Sequence, residues 1–129
     1  NTGRAIDQLA GLYHSFPGNQ AISLYYAEAL LKDGDSENAR EAAGILRQQL
    51  RIHSDDPRLY ELFARSSNIA GDSVRATEAI AESYYLRGGT EEAITQLESL
   101  EKRDDLDYYQ RARVSARLME LRIEQKEAE

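Results

Sequence analysis

The chain of 129 residues lacks cysteine altogether and contains only two prolines. Without cysteine it can form no disulfide bridge, no cysteine-ligated zinc site and no thiol nucleophile. The same absence fits a reducing cytosol and an oxidising periplasm equally well, so composition leaves the compartment open. Long apolar runs are also missing, which predicts no membrane-spanning helix, and the first residues lack the apolar stretch of a signal peptide.

Positively charged residues are outnumbered as well. The sequence has 16 Lys and Arg residues against 23 Asp and Glu residues, and its formal net charge at pH 7 is −7. A chain of this sign repels phosphate backbones and has few cations with which to release counterions from DNA or RNA. The composition therefore argues against nucleic acid as a partner.

Apolar residues recur at helical spacing along nearly the whole chain, and no alternating strand pattern competes with them. Clusters of Gly, Pro, Asp and Asn interrupt this pattern six times, which predicts seven helices. The predicted spans are 3–16, 19–33, 36–53, 57–70, 73–87, 90–103 and 106–126. The length suffices for one continuous core, so we expect a single domain over residues 1–129.

Several helix ends carry residues that favour a start or a stop. Asp56 before Pro57 is typical of an N-cap followed by the first helical position, where the missing N–H of proline costs nothing. The hydroxyl of Thr90 is likewise expected to cap the sixth helix, with Glu91 and Glu92 in its first turn. Three glycines are expected to close helices in the left-handed conformation. They are Gly34, Gly71 and Gly88.

A repeated order of residues links these helices. Each turn glycine is followed by a small residue within the next helix, namely Ala42, Ala76 or Ala93. The order Tyr60, Phe63, Ala64, Gly71 and Ala76 resembles the tetratricopeptide repeat (TPR), in which small residues let two helices approach closely. The resemblance implies an all-α fold: a TPR-like right-handed solenoid of antiparallel helix hairpins, about seven helices in all.

The two ends of the chain differ from the middle. The first helix, with Ile6, Leu9 and Leu12, resembles the second helix of a repeat whose first helix is missing. We therefore expect the chain to be a piece excised from the C-terminal part of a longer protein. The last helix is expected to cap the solenoid with one apolar stripe. Its predicted members are Tyr108 or Tyr109, Ala112, Ala116, Met119 and Ile123.

No constellation of residues indicates catalysis. His14 and His53 are far apart and lie in no metal-ligand spacing, and the chain has neither a nucleophile elbow nor a phosphate-binding loop. Acidic pairs such as Asp55-Asp56 and Asp104-Asp105 lie at helix starts or in linkers and lack the alternating spacing of a calcium loop. The sequence therefore predicts no catalytic residue, no metal and no cofactor in this chain.

The TPR resemblance implies a concave groove that binds a protein or peptide. Its lining is polar and of both charge signs, and it does not reproduce the Lys and Asn set that clamps a chaperone's C-terminal carboxylate. Three adjacent tyrosine pairs can each place one ring in the core and the other on a recognition surface or on an ordinary amphipathic one. The predicted groove residues are Leu24, Glu28, Arg58, Glu61, Arg65, Asn68, Arg75, Glu78, Glu82 and Tyr85.

A closer resemblance spans most of the chain and is most evident in its final third. Residues 81–94 (AESYYLRGGTEEAI), followed by 108–113 (YYQRAR) and by Arg117-Leu118, resemble the C-terminal TPR region of bacterial periplasmic zinc metalloproteases related to the beta-barrel assembly-enhancing protease. The resemblance implies a periplasmic location and a zinc protease domain outside this chain, with zinc expected only there. It also implies that this chain docks substrates or the outer-membrane protein assembly machinery.

Two alternatives remain open on the sequence. One is a free-standing TPR scaffold in the cytoplasm or a secretion pathway. The other is a homo-oligomerisation domain, for example a homodimer, that uses its tyrosine-rich or N-terminal face as a self-complementary contact.

Overall fold

The structure, a computed structural model, describes residues 2–129. Over these residues the chain forms seven α-helices and no β-strand, as the sequence predicts, and every helix end lies within three residues of its predicted position. The helices are α1 (Thr2–Ser15), α2 (Gln20–Leu30), α3 (Ser36–Ile52), α4 (Pro57–Ile69), α5 (Ser73–Leu86), α6 (Thr90–Glu101) and α7 (Tyr108–Ala128). None of these helices is long and apolar enough to cross a bilayer.

Each helix packs mainly against the helices that precede and follow it in the chain. The turns between them are short, as at residues 70–72 and 87–89, so neighbouring helices run antiparallel. The three turn glycines have φ angles of 74°, 92° and 89°, which confirms the predicted left-handed closures. This backbone conformation suits glycine because a Cβ atom would crowd the following carbonyl.

Of the two predicted N-caps, one is confirmed and one is wrong. Asp56 accepts a hydrogen bond from the backbone N–H of Arg58, and Pro57 occupies the first turn, as predicted. Thr90 does not cap α6, because Gly89 takes the cap position and makes no side-chain cap bond. The N–H of Gly89 donates to the carbonyl oxygen of Tyr84 at 2.8 Å, and a Cβ atom at Gly89 would come within 3.2 Å of that oxygen, so this tight turn favours glycine ahead of the helix.

Two hydrophobic clusters form the interior, and α5 contributes to both. The first joins α2, α3, α4 and one face of α5, where Ala76 and Ala79 lie. The second joins α6 and α7 to another face of α5, where Val74 and Ala81 lie. At about 100° per residue, these two pairs point to opposite sides of the helix. The small residues of α5 therefore allow close packing on both sides.

The predicted apolar stripe of α7 is wrong as a core face. The residues of α7 that are buried against α6 are Val114, Leu118 and Leu121. Met119 and Tyr109 are 63% and 78% exposed, and the other predicted members are exposed too. The helix carries two apolar faces, and the face with Val114 and Leu118 lies inward, where the neighbouring Arg113 and Arg117 bind Glu78 and Glu82 of α5. The array thus ends in a helix whose outer face is apolar.

Candidate functional site

A first groove lies between α2 and α4 and has a volume of about 350 Å³. Five predicted groove residues meet there, two from α2 and three from the first turns of α4. We call it the α2–α4 groove. Its lining consists of Leu24, Glu28, Asp56, Arg58, Leu59, Glu61, Leu62 and Arg65.

The α2–α4 groove combines leucine side chains with charges that have few partners of their own. Arg58 is 81% exposed, and its Nε atom lies 3.5 Å from a carboxylate oxygen of Asp56, which is a weak contact. Glu61 instead accepts two hydrogen bonds from the guanidinium of Arg87, at 3.0 and 3.1 Å, and this contact raises the pKa of Arg87. Arg65 is exposed and has no ion-pair partner among residues 2–129. Arg58 and Arg65 can therefore donate hydrogen bonds to an incoming chain.

A second groove, of about 380 Å³, lies between α4, α5 and α7. Three predicted residues line it, namely Arg75, Glu78 and Glu82. We call it the α4–α5–α7 groove. The remainder of its lining is Tyr60, Phe63, Ala79, Arg113, Ala116, Arg117 and Glu120.

Two parallel ion pairs bridge α5 and α7 across this second groove, and we call them the ion-pair ladder. Arg113 donates to both carboxylate oxygens of Glu78 at 2.7 and 2.8 Å. Arg117 donates to both oxygens of Glu82 at 2.8 Å each. Hydrogen bonding to the carboxylates raises the pKa of both guanidinium groups. Two of the predicted partner-binding carboxylates are therefore already neutralised within the chain.

Tyr85 also makes its contacts with α7. Its hydroxyl donates to the Glu124 carboxylate at 2.7 Å, and the guanidinium carbon of Arg117 lies 5.0 Å from its ring centre. The hydrogen bond to Glu124 is the main cause that raises the pKa of Tyr85. For Tyr60, which lines the groove, burial is the main cause of a raised pKa. The ring and hydroxyl of Tyr85 thus help to hold α7 in place.

Eight of the ten predicted residues line one of the two grooves, five in the first and three in the second. Because successive residues turn by about 100°, Tyr60 and Phe63 lie on the opposite side of α4 from Arg58, Leu62 and Arg65. The two grooves therefore flank α4 on different sides. Asn68 is exposed on α4 outside both linings, and Tyr85 also lies outside them.

The ladder arginines were missed among the site residues, although the sequence held a signal for them. Glu78 and Glu82 are spaced by four residues, and so are Arg113 and Arg117. Each pair therefore forms one stripe on one helix face. Two stripes of opposite charge and equal spacing favour a contact between their helices. The spacing alone does not say that α7 reaches past α6 to α5.

The prediction that each tyrosine pair places one ring in the core and the other on the surface holds only in part. Tyr26 is buried and its hydroxyl donates to Glu41 at 2.6 Å, whereas Tyr25 is exposed. Both Tyr108 and Tyr109 are exposed, so the division is wrong for this pair. The reason is the orientation of α7, whose buried face begins beyond them at Val114.

The histidines stand apart in the structure. His14 lies near the end of α1, where its Nδ1 atom is 2.6 Å from the carbonyl oxygen of Ala10. His53 follows the last turn of α3 as its C-cap. In the part of the chain that the structure describes, no group of three or more His, Cys, Asp or Glu residues is arranged to hold a metal ion.

Comparison with known proteins supports a relationship to one protease. The chain is 32% identical over 104 residues to the "Beta-barrel assembly-enhancing protease" of Escherichia coli (strain K12), and the same identity holds for the proteins of that name from Shigella flexneri and Escherichia coli O157:H7. The matched region covers 81% of this chain but only 21% of each relative. The chain thus spans about a fifth of their length. No family model matches the chain.

Proposed function

We propose that this chain is a non-catalytic protein–protein interaction module, a TPR-like solenoid linked to a periplasmic zinc metalloprotease domain that lies outside it. The module docks substrates of that protease or components of the outer-membrane protein assembly machinery. The proposal is supported by the relationship to a protease whose name refers to beta-barrel assembly. It is also supported by the serial packing of antiparallel helices, which is the geometry of a helical repeat array.

The α2–α4 groove is the observation that carries the docking proposal. Its leucines provide apolar surface, Arg58 makes only a weak contact with Asp56, and Arg65 has no ion-pair partner among the described residues. Grooves of this kind bind a peptide through apolar contacts, with polar groups at the edge that fix its orientation. The second groove is a weaker candidate because its carboxylates already bind Arg113 and Arg117.

The zinc chemistry belongs to the linked domain in this proposal. The two histidines of this chain lie on separate helix ends and do not form a ligand set. The role of this chain is to raise the local concentration of a substrate or partner near the linked active site. A docking module of this type changes which proteins are cleaved and does not take part in bond cleavage.

The proposal is tested by chemical crosslinking and capture from a bacterial envelope extract. The parent chain is compared with a groove variant, Arg58→Glu with Arg65→Glu. A matched control carries Arg40→Glu with Arg51→Glu, the same charge change at two exposed positions of α3. We expect the parent and the control to capture proteins of the outer-membrane β-barrel assembly machinery or its substrates, identified by mass spectrometry, and the groove variant to lose them.

Two outcomes would contradict the proposal in different ways. If the groove variant and the control both capture the same assembly proteins as the parent, docking occurs elsewhere and the α2–α4 groove is not the site. If the parent captures none of them while remaining folded by circular dichroism, the docking function itself is wrong. A free-standing scaffold is then the better interpretation.

A further inference from the structure

The α4–α5–α7 groove contains two charged groups and one hydroxyl that the described residues leave available. Arg75 is half-buried in the lining, and its guanidinium has no ion-pair or hydrogen-bond partner among residues 2–129. The Tyr60 hydroxyl likewise has no hydrogen bond within the described chain. Glu120 is 66% exposed and makes one weak ion pair, 3.4 Å from Nη1 of Arg117. These three groups can bind an occupant of the groove.

The end of the groove at Arg75 is positive, because the carboxylates around it already have other partners. Glu78 binds Arg113 through both of its oxygens. Asp72 accepts the backbone N–H of Arg75 at 3.0 Å and so caps α5, and Asp107 caps α7 in the same way. Among the described residues, no carboxylate is therefore paired with the guanidinium of Arg75.

The opposite end of the groove, at Glu120, is negative. Arg117 already binds both oxygens of Glu82 at 2.8 Å, so its charge is largely used before it reaches Glu120. Glu124 lies one turn beyond Glu120, accepts a hydrogen bond from a neutral hydroxyl and adds a second negative charge. The groove thus runs from a positive end at Arg75 to a negative end at Glu120.

The ion-pair ladder sets the distance between these two ends. Its partners are 35 residues apart in the chain, and both pairs advance together, so α5 and α7 run in the same direction. Glu120 is therefore about level with Tyr85 of α5. At a rise of about 1.5 Å per residue, Arg75 and Glu120 are roughly 15 Å apart along the groove.

The middle of the groove is apolar. By the same rise, Ala79 of α5 and Ala116 of α7 lie about midway between the two charged ends. Because both side chains are small, a space stays open beside the rings of Tyr60 and Phe63. Aromatic rings pack well against one another, so this space suits one large apolar side chain, above all an aromatic one.

We propose that the α4–α5–α7 groove binds an extended peptide segment with an acidic, an apolar and a basic side chain at positions i, i+2 and i+4. Alternate residues of an extended chain point to the same side, and residues i and i+4 are about 13–14 Å apart, which matches the groove. The acidic side chain binds Arg75, the apolar one enters the middle, and the basic one binds Glu120. The Tyr60 hydroxyl donates to a backbone carbonyl of the segment. This second site is additional to the docking proposed for the α2–α4 groove.

The first experiment titrates the chain into peptides that carry fluorescein at the N-terminus and an amide at the C-terminus, and it follows fluorescence anisotropy. The probe GDSFSKG has Asp, Phe and Lys at alternate positions. The control GSDFKSG has the same composition, but its charges point away from the ring in an extended chain. We expect saturable binding of the probe below about 1 mM protein, and binding of the control weaker by at least about fivefold.

Two variants of α7 test whether the probe binds in the groove. Ala116→Leu fills the middle of the groove and is expected to weaken binding of the probe at least about tenfold. Ala112→Leu makes the same change one turn earlier, outside the lining, and is expected to bind like the parent. Both positions are exposed, so neither change disturbs the core.

A charge reversal tests the contact with Arg75. The parent is expected to bind GDSFSKG more tightly than GKSFSKG, in which Lys replaces Asp. Arg75→Glu is expected to reverse this order, and an acidic residue in the first turn of α5 is compatible with the helix dipole. A variant that binds the second peptide more tightly than the first must be folded, so the reversal separates direct contact from loss of structure.

Each contrary result overturns the inference. If the probe does not bind up to about 1 mM protein, or if GSDFKSG binds equally well, the groove does not recognise the alternating pattern. If Ala116→Leu binds the probe like the parent, the peptide binds elsewhere. If Arg75→Glu keeps the order of the parent, Arg75 does not contact the acidic side chain. None of these results decides the α2–α4 proposal, because Arg58 and Arg65 are unchanged in every variant.

Discussion

The ion pair between Glu82 and Arg117 allows a quantitative test of how α7 is held against α5. We consider Glu82→Ala, Arg117→Ala and the double variant. The pair is bidentate, with both N–O distances at 2.8 Å, and its side chains are 23% and 28% exposed. Exposed pairs contribute up to about 1 kcal/mol, while breaking a fully buried pair costs about 3–5 kcal/mol. For this half-buried pair we expect a coupling energy of about 1–2 kcal/mol.

The coupling energy is the quantity to measure, because Arg117→Ala also removes the contact with the Tyr85 ring. A double-mutant cycle subtracts such side effects. Urea unfolding gives the free energy of unfolding of each variant, and each 1 kcal/mol lost should lower Tm by about 3–5 °C in a chain of this size.

The pair of Arg122 and Glu98 is a matched control. It is also an Arg–Glu contact at 2.8 Å between α7 and a neighbouring helix, but its side chains are 49% and 42% exposed. We expect its coupling energy to stay below about 0.5 kcal/mol and to vanish in 1 M salt, whereas that of Glu82 and Arg117 persists in part. Equal coupling in the two pairs, or a value near zero for the half-buried one, would refute the reasoning from burial.

Three further predictions concern the core, a turn and the tyrosines. Leu118→Ala should lower the free energy of unfolding by about 2–4 kcal/mol, and Met119→Ala should lower it by less than about 0.5 kcal/mol, at concentrations where the chain is monomeric. Urea unfolding measures both values. If Met119→Ala were the more destabilising variant, α7 would be rotated relative to the structure. Gly71→Ala should lower the free energy of unfolding by about 1 kcal/mol, because φ at this position is 92° and alanine is strained there. No steric clash contributes, since nothing lies within 4 Å of the added Cβ. An unchanged Tm would contradict this prediction. Burial raises the pKa of Tyr26 and a hydrogen bond raises that of Tyr85 above the ordinary 10.0, so both favour the folded state below that pH. This stability should be lost as the pH rises from about 10 through the raised pKa values of the two tyrosines. In the variant with Tyr26→Phe and Tyr85→Phe, the fall of Tm with rising pH should therefore be smaller than in the parent chain. If Tm fell equally in the parent and the variant at alkaline pH, ionisation of these two tyrosines would not be the cause of the fall.

Local features could be predicted from the sequence because they depend on neighbouring residues alone. The start of α4 at Asp56-Pro57 follows from side-chain capping and from the missing N–H of proline. The turn at Gly71 follows from the steric freedom of glycine. Thr90 was misjudged because its neighbour Gly89 fits a tighter turn, closed by a bond to Tyr84 that a capping pattern does not reveal.

Features that depend on how helices pack were predicted less well. Both faces of α7 have helical periodicity, and the sequence alone does not say that Leu118 and not Met119 points inward. The candidate groove residues were assigned from repeat positions, which assume one concave surface. The structure brings five of them together between α2 and α4, and it engages Glu78 and Glu82 with α7. Their partners lie 35 residues away in the chain, beyond the reach of a local pattern.

The position of α5 between two hydrophobic clusters divides the molecule into two cooperative units in series. Amide hydrogens of α7 can exchange with solvent after an opening that disrupts only the second cluster, while α2 to α4 stay folded. An opening that frees α5 must disrupt both clusters at once. The amides of α5 should therefore exchange only with global unfolding, and any strain that a partner exerts on α4 must pass through α5 to reach α7.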